Sequence, residues 1–140
     1  MKKIYSKVEP SLLLHIIVRL EDFKNNGQRN DVISVDNFLQ CATLNMKEGV
    51  TFKPHKHIFK KRVYEKQISQ ESWVVIRGKV KCIFYDIDDT IIDEPILNEG
   101  DASFTLRGGH NYEALTDDTF VYEYKTGPYE GQALDKTFIK

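Results

Sequence analysis

Apolar and polar positions along this chain alternate in short runs instead of recurring every three or four residues, which is the pattern of strands and not of helices. The apolar, β-rich runs are "LLLHIIVRL", "FLQCATLNM", "VTFKPHKH", "SWVVIRGKVKCIFYD", "TIIDEPIL", "ASFTLR", "YEAL" and "TFVYEYK". Between them lie "KNNGQRND", "KEG", "DIDD", "NEGD", "GGHN" and "TDD", rich in residues that tolerate turn geometries. Only the first run is ambiguous. Leu12, Ile16 and Leu20 would also suit one helix face, but the Ile-Ile-Val content favours a strand. Short strands at this spacing predict an all-β fold, a double-sheet jelly roll or a small barrel. No repeat, low-complexity tract or linker divides residues 1–140, which read as a single domain.

Composition adds exclusions. The 140 residues are 41% hydrophobic and 29% charged with a net charge of -1, so no global field draws nucleic acid or an anionic membrane. The apolar run from Leu12 to Val18 is interrupted by His15 and followed by Arg19, Glu21 and Asp22. It is too short to span a bilayer and lacks the cleavage site of a signal peptide. Cys41 and Cys82 lie in apolar surroundings and read as reduced core residues. A cytoplasmic protein is expected, without nucleic-acid or membrane partners.

The chemistry concentrates in few residues. If "TFKPHKH" is a strand, Thr51, Lys53, His55 and His57 share one face, placing two imidazoles side by side. Alone, that pair reads as a solvated feature of the basic segment "HKHIFKKR". Two further residues shift the balance. His110 follows the glycine-rich turn "LRGGH", and Glu71 opens the apolar strand "ESWVVIRG", where a carboxylate is costly to bury unless paired or coordinating a cation. Three imidazoles and one carboxylate suit a divalent transition metal (Fe, Mn, Ni, Co or Zn) better than Mg or Ca.

These residues resemble the cupin motifs. Gly49, five residues, then His55-Lys56-His57 match the start of the first motif, and Glu71, six residues, then Gly78 match its end. Gly100 and Gly108 match glycines of the second motif, and His110 supplies its histidine. The resemblance spans roughly residues 36–126. It implies a cupin double-stranded β-helix binding a metal through His55, His57, Glu71 and His110. Three departures stand out. Thirteen residues separate His57 from Glu71, where the family has three or four. Leu106 replaces the motif's proline, with His110 one residue early. Ala114 stands where an asparagine is expected. The long gap leaves Gln67 or Gln70 as conceivable substitutes for Glu71. An insertion between strands is inexpensive, because loop-closure entropy grows slowly with length.

Around that site, parity from Glu71 gives Trp73, Val75 and Arg77, and parity from His110 gives Tyr112. Trp73 is the candidate apolar wall, and Arg29, Lys53 and Arg107 are candidate ligand contacts. Tyr112 is a further polar contact and the candidate general base. The insertion across 58–70, with Lys60, Lys61, Arg62 and Lys66, would hang over the site as a lid or extend as a solvated loop. The closing "EYKTGPYEGQALDKTF" is expected to leave the barrel at Gly127-Pro128, running along the outside or against a partner subunit, since cupins commonly dimerise.

A competing pattern is "VKCIFYDIDDTIID". Asp86, Asp88 and Thr90 are similar to the nucleophile motif of haloacid-dehalogenase-like phosphatases. Those enzymes need parallel strands joined by helices, and the residues that follow read as strands alone. A hairpin turn is the expectation for "DIDD".

Within the cupins the chain looks most like small members associated with surface-polysaccharide and sugar-nucleotide biosynthesis. The resemblance implies a metal-dependent isomerase or epimerase of a sugar or sugar-derived metabolite. An Fe(II) dioxygenase and a non-catalytic sugar-binding module are the alternatives.

Overall fold

A computed structural model of the chain describes residues 1–24, 29–34, 36–57, 68–127 and 131–139. Its strands are β1 (Lys2–Tyr5), β2 (Leu13–Val18), β3 (Arg29–Asp31), β4 (Ala42–Leu44), β5 (Glu71–Arg77), β6 (Val80–Tyr85), β7 (Ile91–Asp93), β8 (Ile96–Leu97), β9 (Ala102–Thr105), β10 (Gly109–Ala114) and β11 (Phe120–Lys125). A short helical turn, α1 (Gln132–Asp135), follows. The strands form a five-stranded sheet in the order β1-β2-β9-β5-β11, a second sheet β10-β6-β7 with β8 also on β6, and a small β3-β4 pair. All pairings are antiparallel. The all-β expectation therefore holds. The described strands do not close into a barrel.

The ambiguity of the first apolar run has a structural cause. β2 is the second strand of the large sheet and is covered on both faces, so its residues need not alternate. Ile17 joins a core shared between the two sheets with Ile4, Val75, Val80, Cys82, Phe84 and Leu97. Ile16 and Val18 face the other way, into a second core with Val32, Ile33, Ala102, Phe104 and Leu106. β9 is split likewise: Ala102 and Phe104 enter the second core, while Ser103 and Thr105 add hydroxyls to the space between the sheets.

Three expectations change. Residues 50–57, expected as a strand, are irregular and exposed. Pro54 carries no N–H for a ladder, and Lys53 and Lys56 keep the segment in water. The run "FLQCATLNM" yields only the three residues of β4. "TIIDEPIL" divides into β7 and β8 at Glu94-Pro95, where the Pro95 carbonyl accepts the Cys82 N–H at 2.8 Å. The insertion from Ile58 to Gln67 lies outside the described residues.

The "DIDD" stretch is the expected hairpin turn, linking β6 to β7. Asp89 adopts φ +68°, a left-handed conformation that aspartate tolerates. The Asp86 carboxylate accepts hydrogen bonds from Ser6 Oγ (2.5 Å), Lys7 N (2.6 Å) and Ile87 N (2.7 Å). It ties the turn to the loop after β1. Cys41 and Cys82 are both free thiols, and burial pushes the Cys82 pKa up to about 12.

Candidate functional site

Two residues on β5 and two on β10 face each other across the gap between the sheets. Side chains at i and i+2 of a strand share a face, so Glu71 and Trp73 project from the large sheet, His110 and Tyr112 from the small one. The result is two facing rungs. His110 Nε2 donates to Glu71 Oε1 at 3.1 Å, and the Trp73 ring stacks on Tyr112 with centroids 4.1 Å apart and planes 13° off parallel.

Backbone geometry sets the opposition. Glu71 pairs with Thr105 of β9 on one side and Lys125 of β11 on the other. From Thr105 the chain crosses to the second sheet in three residues, Leu106, Arg107 and Gly108. Gly108 has φ +75°, and a Cβ there would lie 2.5 Å from the Tyr85 carbonyl oxygen. Only glycine makes that crossing without displacing β6. It delivers His110 opposite Glu71 one residue after β10 begins.

The two rungs line a cleft of about 930 Å³. Glu71 is mostly covered, its side chain 10% accessible, while His110 is 25% accessible and open to a ligand. Burial alone would raise the Glu71 carboxyl. The hydrogen bond and charge of His110, with the Lys136 and Lys125 ammonium groups, outweigh it and hold the pKa below the usual range.

Trp73, Arg107 and Tyr112, expected at the site, all line this cleft. Tyr112 does so with its ring. Its hydroxyl is 3.1 Å from Ser103 Oγ, and burial drives its pKa upward. That is the reverse of what a base at neutral pH requires. Arg29 and Lys53 are exposed and outside the described lining; Arg29 pairs instead with Asp31 at 2.7 Å. Gln70, the substitute for Glu71, is spent elsewhere: its Oε1 accepts from Leu39 N at 2.8 Å and its Nε2 donates to Asn37 at 3.0 Å. Gln67 lies outside the described residues.

His55 and His57 also lie outside the described lining, on the exposed 50–57 segment. Their rings are edge to face with centroids 5.3 Å apart. His55 Nδ1 donates to the Lys53 carbonyl at 2.9 Å, so Nε2 keeps a free lone pair, the arrangement usual for a histidine ligand. The four expected ligands thus form two pairs, and among the described residues no three potential ligands come together.

One of these pairs has the spacing of two donors on a single ion. Donors about 2.1 Å from one ion and at right angles to each other are ~3.0 Å apart, close to the 3.1 Å between Glu71 and His110. The donor set of imidazoles and one carboxylate is that of a transition metal.

Several cleft residues carried no signal in the sequence. Glu123 stands opposite Trp73 in the β5–β11 ladder and accepts its indole N–H at 3.1 Å. Residues 135–139 also lie along the cleft. The closing segment, expected along the outside or against a partner subunit, thus runs past the mouth of the cleft with residues 136–138 exposed. Asp135 holds it, accepting from Lys125 Nζ at 2.5 Å and Ser69 Oγ at 2.8 Å. Ile139 fills the space above Gly109, where a Cβ would come within 2.4 Å of its Cδ1. An indole needs an acceptor, which was the one available hint of Glu123.

No helix among the described residues is long and apolar enough to cross a membrane. Comparison with known proteins returns no family, no curated protein and no solved structure that matches this chain.

Proposed function

We propose that this chain is a cupin-type jelly roll and a divalent-metal-dependent enzyme acting on a sugar or sugar-derived metabolite, by isomerisation or epimerisation. The observation that carries the reading is the Glu71–His110 contact. The two residues come from separate sequence motifs, 39 positions apart, and meet at 3.1 Å in a cleft. Glu71 and His110 would hold the ion from inside, His55 and His57 from the exposed segment.

The bound metal would supply Lewis acidity, polarising a carbonyl or hydroxyl of the ligand. The chain's own residues would do the rest. The Trp73–Tyr112 stack offers a flat face for the apolar side of a sugar ring, and Glu123 fixes the indole plane. His110 Nε2 carries a proton in the contact with Glu71, so a cation bound at that nitrogen would replace this hydrogen bond, with the ring proton held at Nδ1. Tyr112, with its hydroxyl bound and its pKa raised, serves as platform and not as proton acceptor.

The same contact favours one second reading. A carboxylate that accepts from Nε2–H leaves Nδ1 as the basic nitrogen of an imidazole–carboxylate dyad, which needs no metal for proton transfer.

Elemental analysis of metal-replete protein beside His55→Ala, Glu71→Ala and His110→Ala separates the two. The metal reading expects about one equivalent of metal in the native protein and a loss in each variant, with Gln70→Ala unchanged. Metal-free native protein that turns over a sugar substrate, and loses activity in both Glu71→Ala and His110→Ala, establishes the dyad instead. Iron-dependent oxygen consumption would mark a dioxygenase. Stabilisation by sugars without turnover under any metal would mark a binding module.

A further inference from the structure

We infer that the C-terminal segment completes the cleft as an anion-recognition element, in which Lys136 and Arg107 bind the carboxylate or phosphate of an acidic small ligand. This rests on the reading of the cleft as the ligand site and narrows the ligand class.

The charges of the cleft are unequally engaged. Glu71 is bound by His110, Glu123 by the Trp73 indole, Asp86 by three donors of the β1 loop and turn, and Asp135 by Lys125 and Ser69. Lys136 and Arg107 line the same cleft, and neither makes an ion pair among the described residues. The carboxylates left over, Glu9 and Asp89, are exposed. Lys136 and Arg107, exposed themselves, therefore present two cations without an ion pair among the described residues, beside an accessible imidazole. A flat aromatic pair lies next to them. An acidic ligand with an apolar ring face matches both features.

The position of Lys136 is built. Asp135 is clamped between β11 and the residue before Gln70, and Ile139 is seated over Gly109. Between these anchors Lys136 is held near enough to Glu71 for its charge to stabilise that carboxylate. Arg107 comes from the three-residue crossing that sets His110. A guanidinium forks onto a carboxylate or phosphate, and an ammonium adds a point charge.

The test is calorimetric titration of the full chain with inorganic phosphate, glucuronate and glucose, with metal content measured on the same samples. Phosphate or glucuronate should bind where glucose at equal concentration does not, and the tighter of the two identifies the anion. Lys136→Met and Arg107→Met should each weaken that binding about tenfold, as expected for one charge-assisted hydrogen bond, with metal content and unfolding midpoint unchanged. Lys136→Arg should stay within about threefold. Asp135→Ala removes a negative charge and by charge alone would strengthen anion binding. Weaker binding in this variant reports positioning of Lys136. Glucose binding as tightly as glucuronate, no anion binding, or unchanged affinity in both methionine variants overturns the inference. Metal-free protein that binds anions through Lys136 and Arg107 would uphold it while removing the metal reading. Metal-loaded protein indifferent to anions would do the opposite.

Discussion

The imidazole of His15 lies flat against the ring of Phe84, centroids 4.2 Å apart and planes 11° from parallel. His15 is fully buried in β2, beneath the crossing that carries Gly108. Its Nε2 donates to the Tyr85 carbonyl at 3.3 Å, so Nδ1 accepts from Thr105 Oγ1 at 3.1 Å. The ring is a neutral core residue with both nitrogens satisfied.

That neutrality makes stability depend on pH. Burial above all pushes the His15 pKa down to about 4, only partly offset by the Tyr85 bond. The unfolded chain binds the proton near pH 6.5 and the folded chain does not. Stability is therefore complete above pH 6.5 and falls toward pH 4, by ~3 kcal/mol for a shift of this size. Urea unfolding across pH 4 to 7.5 should show the slope, and His15→Gln should flatten it. A native protein equally stable at pH 4.5 and 7 would contradict a buried neutral imidazole.

Asp86 should show the same direction at lower pH. Burial raises its carboxyl, but hydrogen bonds from Ser6 and from the N–H groups of Ile87, Lys7 and Val8 bring the pKa below the usual value. Its contribution is present above about pH 4 and lost as pH falls through the depressed folded value. Asp86→Asn turns an amide donor toward backbone donors and should cost about 2 kcal/mol at pH 7. The gap to the native protein should shrink below pH 4.

The adjacent glycines 108 and 109 should respond differently to alanine. At Gly108 the new Cβ meets backbone, the Tyr85 carbonyl oxygen at 2.5 Å, at a positive φ. A loss of about 2 kcal/mol or more is expected. At Gly109 the nearest obstacle is the flexible end of Ile139. Gly109→Ala should free residues 136–139 for proteolysis with a smaller loss of stability, and Ile139→Ala should relieve the clash. Equal losses at both positions would mean that the closing segment does not seat over Gly109.

Tyr112→Phe should keep the stack on Trp73 and lose the hydroxyl's contacts with Ser103 and Thr105, at a cost of about 1 kcal/mol. Ligand affinity should stay within about threefold of native. A loss of catalysis by orders of magnitude with affinity retained would restore Tyr112 as the proton-transfer group.

The sequence revealed strands where one face differs from the other, as in β6, whose residues alternate buried and half-buried. Alternation was silent about β2, because a strand covered on both sides has none to read, and only the Ile-Ile-Val content marked it as a strand. Glu71 and His110 were legible as chemistry because a carboxylate beginning an apolar strand and a histidine after two glycines both need explanation. The separation of His55 and His57 from the described cleft was not, since their shared face rested on a strand that residues 50–57 do not form. Glu123, Lys136 and Ile139 depend on ladder register and on a fold-back across the cleft. Those are properties of the assembled chain, and nothing in the local pattern near residues 123 or 136 announces them.

The order of the large sheet also bears on how the protein assembles. β2, which ends at Val18, finds its second neighbour in β9, which begins only at Ala102. Until then Ile16, Ile17 and Val18 have neither ladder nor cover on that side. The centre of the fold is closed by the last third of the chain, so refolding should fall in the millisecond-to-second range typical of non-local β topologies. A nascent chain would keep β2 without that neighbour until β9 has been made, which makes its hydrophobic run the segment a chaperone would hold.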